Sequence, residues 1–235
     1  MNALTREGMA RLVAGNLPRN SFVNLGIGAP TQIADHLRED SGVILHSENG
    51  ILNLGPKPLP GQEDFDLINP GKAPVTIKTG GAYFDSSMAF AMMRGGHIDV
   101  AVLGAFQVSR SGDLANWNTG KSDGAPPAIG GAIDLAVGAK QIWVMMDHVT
   151  KDNAPRIVER CVLPLTAVGV VKRIFTNYCI LTVTTEGLVV EAVVDGVSRD
   201  VLQGLTGTSL QFPQSTGVIH HDGSVVRGPA RQDGP

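Results

Sequence analysis

Ser21-Phe-Val-Asn-Leu25-Gly26-Ile-Gly28-Ala-Pro30-Thr31-Gln-Ile-Ala-Asp-His-Leu37 is the stretch that decides the fold class. Residues 21–25 read as a strand, the two glycines with Pro30 as a tight turn, and residues 31–37 as a helix. A strand, a glycine turn and a helix in succession are the repeating unit of an α/β protein. Upstream, Leu4, Met9, Leu12, Val13 and Leu17 fall at helical spacing, with Thr5 placed to cap the helix. Downstream, Val43-Ile-Leu-His46 is a second strand that runs into Ser47-Glu48-Asn49-Gly50, where polar residues and glycine end the pattern abruptly. Further strands are predicted at 75–79, 99–103, 141–146, 168–171, 180–184 and 188–194. Helices are predicted at 85–94 behind an Asp85 cap, at 133–139 and at 198–205, with Gly207 just beyond. Residues 51–74, with prolines at 56, 58, 60, 70 and 74, read as a long ordered loop or lid, and a second loop spans about 109–131. Residues 1–212 form the expected domain; 213–235 are polar and Gly/Pro-containing, which predicts a weakly ordered tail.

Composition excludes several classes. The chain has 235 residues and a mass of 24.7 kDa, 43% hydrophobic and 17% charged, and is long enough to bury a core without disulfide or metal staples. Nineteen Lys and Arg against 22 Asp and Glu give a net charge of −3 with no basic cluster, which argues against nucleic acid as a partner. No apolar run reaches membrane-spanning length, and Met1-Asn-Ala-Leu-Thr-Arg6 lacks a signal-peptide pattern, so the expected compartment is the cytoplasm. Cys161 and Cys179 lie apart in apolar segments and read as small core residues. The six histidines show no metal-ligand spacing and no Gly-x-Ser-x-Gly elbow is present, so zinc and serine-hydrolase chemistry fit poorly.

Three features carry candidate chemistry, each beside a plainer reading. The Gly26-x-Gly28 turn offers N–H groups to an anion, or is simply a tight turn. Glu48 follows a strand, at the end where open α/β sheets place ligands, and is either a nucleophilic carboxylate or a hydrogen-bonded surface residue. Gly130-Gly131 precedes a helix and can stabilise an oxyanion or just turn the chain.

The segment Leu45-His-Ser-Glu48-Asn-Gly50-Ile-Leu52 resembles the Ser-Glu-Asn-Gly signature of the family I coenzyme A transferases, in their B (β) chain. The resemblance continues through Asp66-Leu-Ile-Asn69, Ser87-Met-Ala-Phe-Ala-Met-Met-Arg-Gly-Gly-His97, Leu103-Gly-Ala-Phe-Gln-Val108, Gly112-Asp-Leu-Ala-Asn-Trp117, Gly130-Gly-Ala-Ile-Asp-Leu135 and Pro164-Leu165, and covers about residues 5–207. It implies an open, mostly parallel α/β sheet flanked by helices, of the CoA-transferase and NagB/RpiA-like type. The loop from Asn118 to Gly131 lacks the Lys-rich run of the acetoacetate-type members and looks like that of the 3-oxoadipate group; acetoacetate is the second choice of acceptor.

By that resemblance Glu48 is the nucleophile and Gly131 the oxyanion glycine. Asn24, Gly28, Asn49, Lys72, Asn116 and Gly130 match positions near the CoA or acyl groups. No tightly bound cofactor is implied; coenzyme A thioesters are the substrates. The distal carboxylate of a dicarboxylic acid needs a cation, for which Lys72, Arg94, Arg110 and Lys121 stand nearest in sequence, unless the partner supplies it. The resemblance also implies an A subunit in an A2B2 hetero-oligomer, an active site at the A–B interface and an isolated chain without activity. A leaky site would make the protein a thioester hydrolase, and a related fold without the chemistry would make it a ligand-binding module.

Overall fold

A computed structural model of the chain describes residues 3–120 and 129–226. Helix α1 (Arg6–Asn16) starts as expected, with the Thr5 hydroxyl accepting from the Gly8 N–H at 3.0 Å. Strand β1 (Phe22–Leu25) leads through the glycine turn into Ala29–His36, which is a 3-10 rather than an α-helix. Pro30 sits in its first turn and Gly28 before it holds φ at 95°, a conformation that favours glycine. Then come β2 (Ile44–Ser47), β3 (Ile51–Leu54), β4 (Ile77–Tyr83), α2 (Ser86–Arg94) and β5 (Val100–Leu103). Two short strands, β6 (Gln107–Ser109) and β7 (Leu114–Ala115), precede α3 (Ala132–Gly138) and β8 (Gln141–Met146). The chain continues through β9 (Ile157–Val158), β10 (Val171–Thr176), β11 (Cys179–Thr184), β12 (Gly187–Val194) and α4 (Arg199–Gly204). It closes with β13 (Leu210–Gln211), β14 (Gly217–Ile219) and β15 (Val225–Val226).

The centre of the sheet is parallel, in the order β2-β1-β5-β8-β10, with antiparallel strands on both flanks. This is the open, mostly parallel sheet that the resemblance implies. Alternate residues of β5 and β8 face opposite layers. Val100, Val102, Trp143 and Met145 pack under α1, whereas Ala101, Leu103, Ile142, Val144 and Met146 pack with Met93 of α2 and Leu135 of α3. After β1 the chain goes to one side (β2) and later returns to the other (β5). Between β1 and β5 lies the topological switch point where open α/β sheets bind ligands.

Other expectations change. The strand read at 168–171 begins only at Val171 and runs to Thr176, and the one read at 75–79 runs from Ile77 to Tyr83. Residues 51–54 are a strand, not loop: Ser47-Glu48-Asn49-Gly50 is the turn of a β2–β3 hairpin, and β4 then pairs antiparallel with β3. The loop read over 109–131 carries β6 and β7 at its start. Residues from 213 do not trail away from the sheet: β14 pairs with β12 and buries Ile219, so the sheet runs on to Val226. A polar average concealed the few apolar side chains, Ile219 and Val225, that anchor this edge to the core. Residues 227–235 and Lys121 lie outside the described residues.

Two buried histidines set an acid limit on the fold. His148, fully buried, holds Thr176 at 3.0 Å and Thr206 at 2.9 Å through its two ring nitrogens. His46 meets the Asn24 amide at 3.0 Å and stacks on Phe84. Burial lowers both to about 4 from an ordinary 6.5. Between those pH values the unfolded chain takes up protons that the folded one does not, so stability falls as pH drops from 6.5 to 4 and this contribution is flat above. A gap of that size is worth about 3 kcal/mol per histidine. Urea midpoints measured from pH 7.5 to 4.5 should fall steeply below 6.5, and less steeply in His148→Gln.

Candidate active site

Glu48 is held by the chain around it. The Gly50 N–H donates to the Ser47 carbonyl at 3.0 Å, and Gly50 sits at φ 101° with its carbonyl accepting from the Phe84 N–H at 3.0 Å. A Cβ at Gly50 would lie 2.0 Å from the Phe84 carbonyl oxygen, so only glycine lets the hairpin press against the β4–α2 connection. Asn49 is spent on the same frame: its side-chain oxygen accepts from the Ser47 hydroxyl and its Nδ2 donates to the Ile68 carbonyl at 2.7 Å. The turn therefore presents Glu48 from a fixed backbone into a cleft of about 400 Å³.

The cleft lies where the switch point predicts. It is lined by Gly26 after β1, Glu48 after β2, Gly104 after β5 and Asp147 after β8, and on its far wall by Gly130 and Gly131 before α3. A Cβ added to Gly131 would come within 2.3 Å of Glu48 Oε2 and 3.3 Å of the Phe90 ring. The same addition at Gly130, where φ is 51°, would stand 4.0 Å from Oε1. The carboxylate thus rests on the backbone that opens α3, whose first N–H groups are those a helix leaves unbonded. Burial first, and then the negative charge of Asp134, push the Glu48 carboxyl above its ordinary value. Asp134 is itself held by Arg94, whose Nε donates at 2.6 Å while its guanidinium lies over Phe90. Asp134→Asn should lower the Glu48 pKa, both by removing that charge and by freeing Arg94. The acid limb of any Glu48-dependent rate should move to lower pH, as a pH–rate profile would report.

The residues expected at the site divide into two groups. Glu48, Gly130, Gly131 and Asn116 line the cleft together. Asn116 accepts from the Thr166 hydroxyl at 2.6 Å, which orients its amide and leaves Nδ2 free to donate. Asn24 is buried between β1 and β2, where its Nδ2 donates to the His46 carbonyl at 3.2 Å and does not line the cleft. Gly28 has its neighbours Ile27 and Ala29 in the cleft wall, and open space where a Cβ would be, so its φ rather than crowding calls for glycine. Lys72 is exposed at φ 64° on the 55–76 loop, beside Gly71, which approaches Ile27 at the rim.

Two other cations expected from the sequence are occupied elsewhere. Arg94 pairs with Asp134, and Arg110 reaches Glu159 at 3.6 Å and the Glu186 carbonyl at 2.9 Å beside a separate cavity. Among the described residues the arginines that do line the cleft are Arg6 and Arg156, which sequence reasoning misses because neither belongs to a motif. The signal available is position: Arg156 lies in the polar segment that follows β8, at the carboxyl end of a parallel strand. Of the cysteines, Cys179 is buried and Cys161 half-buried, and burial pushes their thiols up to about 12 and about 11, which leaves both unreactive. Among the described residues no group of three His, Cys, Asp or Glu is placed to hold a metal ion, and no helix is long and apolar enough to cross a membrane.

Comparison with known proteins agrees with this geometry. The coenzyme A transferase family model matches residues 6–204. The B chain of the 3-oxoadipate CoA-transferase of Pseudomonas putida is 54% identical over 207 residues, which cover 88% of this chain and 96% of that protein. The B chain of a probable succinyl-CoA:3-ketoacid coenzyme A transferase of Bacillus subtilis is 42% identical over 211 residues, 89% of this chain and 96% of its own. The crystal structure of an acyl-CoA transferase from Escherichia coli O157:H7 shares the fold, with a TM-score of 0.69 at 19% identity over 91% of this chain and 42% of that one. A glutamate presented at the switch point of an open sheet against a double glycine, within a sequence so closely matched, leaves one conclusion: this chain belongs to the coenzyme A transferase family.

Proposed function

We propose that this chain is the B component of a two-chain transferase that moves CoA from succinyl-CoA to 3-oxoadipate through a glutamyl-CoA thioester on Glu48. The observation that carries the reading is the Glu48 carboxylate lying against Gly131 inside the cleft. A carboxylate is the group this chemistry needs, because it can become first an anhydride and then a thioester. An ionised Glu48 oxygen attacks the thioester carbonyl of succinyl-CoA and the C–S bond breaks, giving an acyl-glutamyl anhydride and the CoA thiolate. The thiolate then attacks the glutamyl carbonyl, forming the enzyme thioester and expelling succinate. The acceptor's carboxylate takes the CoA by the same two steps in reverse, so no net proton moves and no general base is required. Ping-pong kinetics follow.

On this reading each tetrahedral intermediate places its negative oxygen near the start of α3, and the donor is the N–H of Gly131, the residue against which the Glu48 carboxylate lies. One such donor is worth about 3–4 kcal/mol of transition-state stabilisation. The half-burial that raises the Glu48 pKa also makes the carboxylate more basic and keeps bulk water from the anhydride. The 55–76 loop supports the hairpin through Asn49 and Ile68 and meets the rim through Gly71 and Ile27, in keeping with a lid. An A subunit in an A2B2 assembly completes the site on this reading, in the cytoplasm and without a bound cofactor.

Treatment of the A–B complex with succinyl-CoA should leave a CoA adduct on the peptide that contains Glu48, read by mass spectrometry; an adduct mapped to another residue overturns the mechanism. Consumption of succinyl-CoA with 3-oxoadipate, with acetoacetate and with no acceptor then assigns the acceptor. The 42% identity to a 3-ketoacid transferase chain is what keeps acetoacetate as the second reading, and loss of succinyl-CoA without any acceptor would mark a hydrolase.

A further inference from the structure

Arg156 lines the Glu48 cleft with most of its donors unused among the described residues. Its backbone is fixed on both sides: its N–H donates to the His148 carbonyl at 3.1 Å and its carbonyl accepts from the Val108 N–H at 2.9 Å. Its side chain is not. Nη1 reaches the Ala105 carbonyl only at 3.5 Å, and the buried Nε has no partner among the described residues. No carboxylate among those residues comes within ion-pair distance, although Asp147 lines the same cleft.

Other arginines in the fold are differently placed. Arg94 pairs with Asp134, and Arg173 grips Glu191 and lies over Trp143 and Phe175; Arg110 shares with Arg156 a buried Nε without a partner among the described residues, but its terminal nitrogens reach Glu159 and the Glu186 carbonyl beside a separate cavity. A guanidinium carries five donors in a planar fork, and the terminal nitrogens of Arg156, which meet only the Ala105 carbonyl at 3.5 Å among the described residues, are the donors left for a carboxylate in the cleft. Nor is this charge spent on the nucleophile: no ion pair among the described residues joins Arg156 to Glu48, whose carboxyl is pushed upward by burial and by Asp134. Arg6 lines the cleft too, but it is exposed at the open start of α1, where water screens it.

We propose that Arg156 is the specificity-determining cation that receives the far carboxylate of a dicarboxylic acyl group while the near carboxyl reacts at Glu48. The proposal rests on the transferase reading above. It explains how a chain that shares its catalytic motif with transferases of monocarboxylic 3-oxo acids can prefer a dicarboxylic acceptor: the fork of Arg156 binds the second carboxylate of the succinyl donor and of 3-oxoadipate alike, and a monocarboxylic acceptor leaves that fork empty.

The test uses the assembled A–B complex with Arg156→Met, which keeps the length of the stem, and Arg156→Lys, which keeps the charge. At saturating succinyl-CoA, Arg156→Met should raise KM for 3-oxoadipate by about 10- to 100-fold, as expected for loss of a charge-assisted pair, and shrink the kcat/KM preference over acetoacetate by a similar factor. Arg156→Lys should recover most of the loss. A 3-oxoadipate KM within twofold of wild type, or an equal fall in kcat with both acceptors that lysine does not repair, overturns the proposal. If Arg156→Met fails to fold, Arg156→Lys alone decides, because loss of the fork should still raise KM a few-fold for the diacid and leave acetoacetate unchanged. The CoA adduct on wild-type Glu48, measured in parallel, reports separately on the underlying mechanism.

Discussion

Glu48→Ala should abolish CoA transfer by the A–B complex, with at least a 10⁴-fold fall in kcat and no CoA adduct on the hairpin peptide. The size follows from the role: without the carboxylate there is no anhydride and no thioester, and the remaining cleft can only hold the two substrates side by side. Folding should survive. The Glu48 side chain is half-buried with a carboxyl that burial already disfavours in its charged form, so its removal relieves a desolvation penalty instead of opening a core cavity. The hairpin is fixed by Gly50, Asn49 and Ser47, none of which bonds through the Glu48 side chain. The thermal midpoint should therefore lie within a few degrees of wild type. Glu48→Gln, nearly isosteric, should be equally dead in transfer, which separates loss of the nucleophile from loss of volume. Residual activity above 1% with either variant would mean that another group carries the acyl transfer.

Most of the central sheet was legible from short apolar runs, since buried parallel strands need apolar side chains on both faces. Gln141-Ile-Trp-Val-Met-Met146 is a strand with the bounds its composition suggests, Asp85 caps its helix as expected, and the helix read over 198–205 is Arg199–Gly204 behind a Ser198 cap. What escaped were strands stabilised mainly by their neighbours. Strand β3, read as the start of a loop, is held between β2 and β4; the Gly80-Gly81 half of β4, beyond the expected 75–79, is held by its pairing with β3; and β14 is three residues anchored by Ile219. The site shows the same division. Glu48 and Gly130-Gly131 each sit in a recognisable local pattern, but only the order β2-β1-β5-β8-β10 brings them to one cleft from distant parts of the chain. Arg156 belongs to no motif, and Asp134 enters only as a member of the match over 130–135; the relation of each to Glu48 exists only in space. Asn49 and Asn24, by contrast, are adjacent to the chemistry in sequence yet spend their amides on the frame.

Gly131→Ala should reduce transfer by about 10²–10³-fold while leaving the fold intact. Gly131 has φ −79° and ψ 8°, a conformation open to any residue, so alanine brings no backbone strain. The whole penalty comes from what the methyl meets. At 2.3 Å from Oε2 and 3.2 Å from the carboxyl carbon it occupies the space of the nucleophile, and the Phe90 ring at 3.3 Å blocks retreat on another side. Glu48 must swing away by about 1 Å, a displacement that costs on the order of 10²-fold in a positioned reaction, and the Gly131 N–H loses its aim at the developing oxyanion. The effect should appear in kcat and in the rate of adduct formation, with KM for either acid changed little, because the methyl intrudes on the reacting atoms rather than on the far end of the cleft. A shortened nucleophile provides the complementary test: Glu48→Asp draws the carboxylate back by one methylene, so the double variant Glu48→Asp/Gly131→Ala should be less impaired than the product of the two single losses. Strict multiplicativity would show that the methyl acts on the oxyanion donor and not on the carboxylate it is built against.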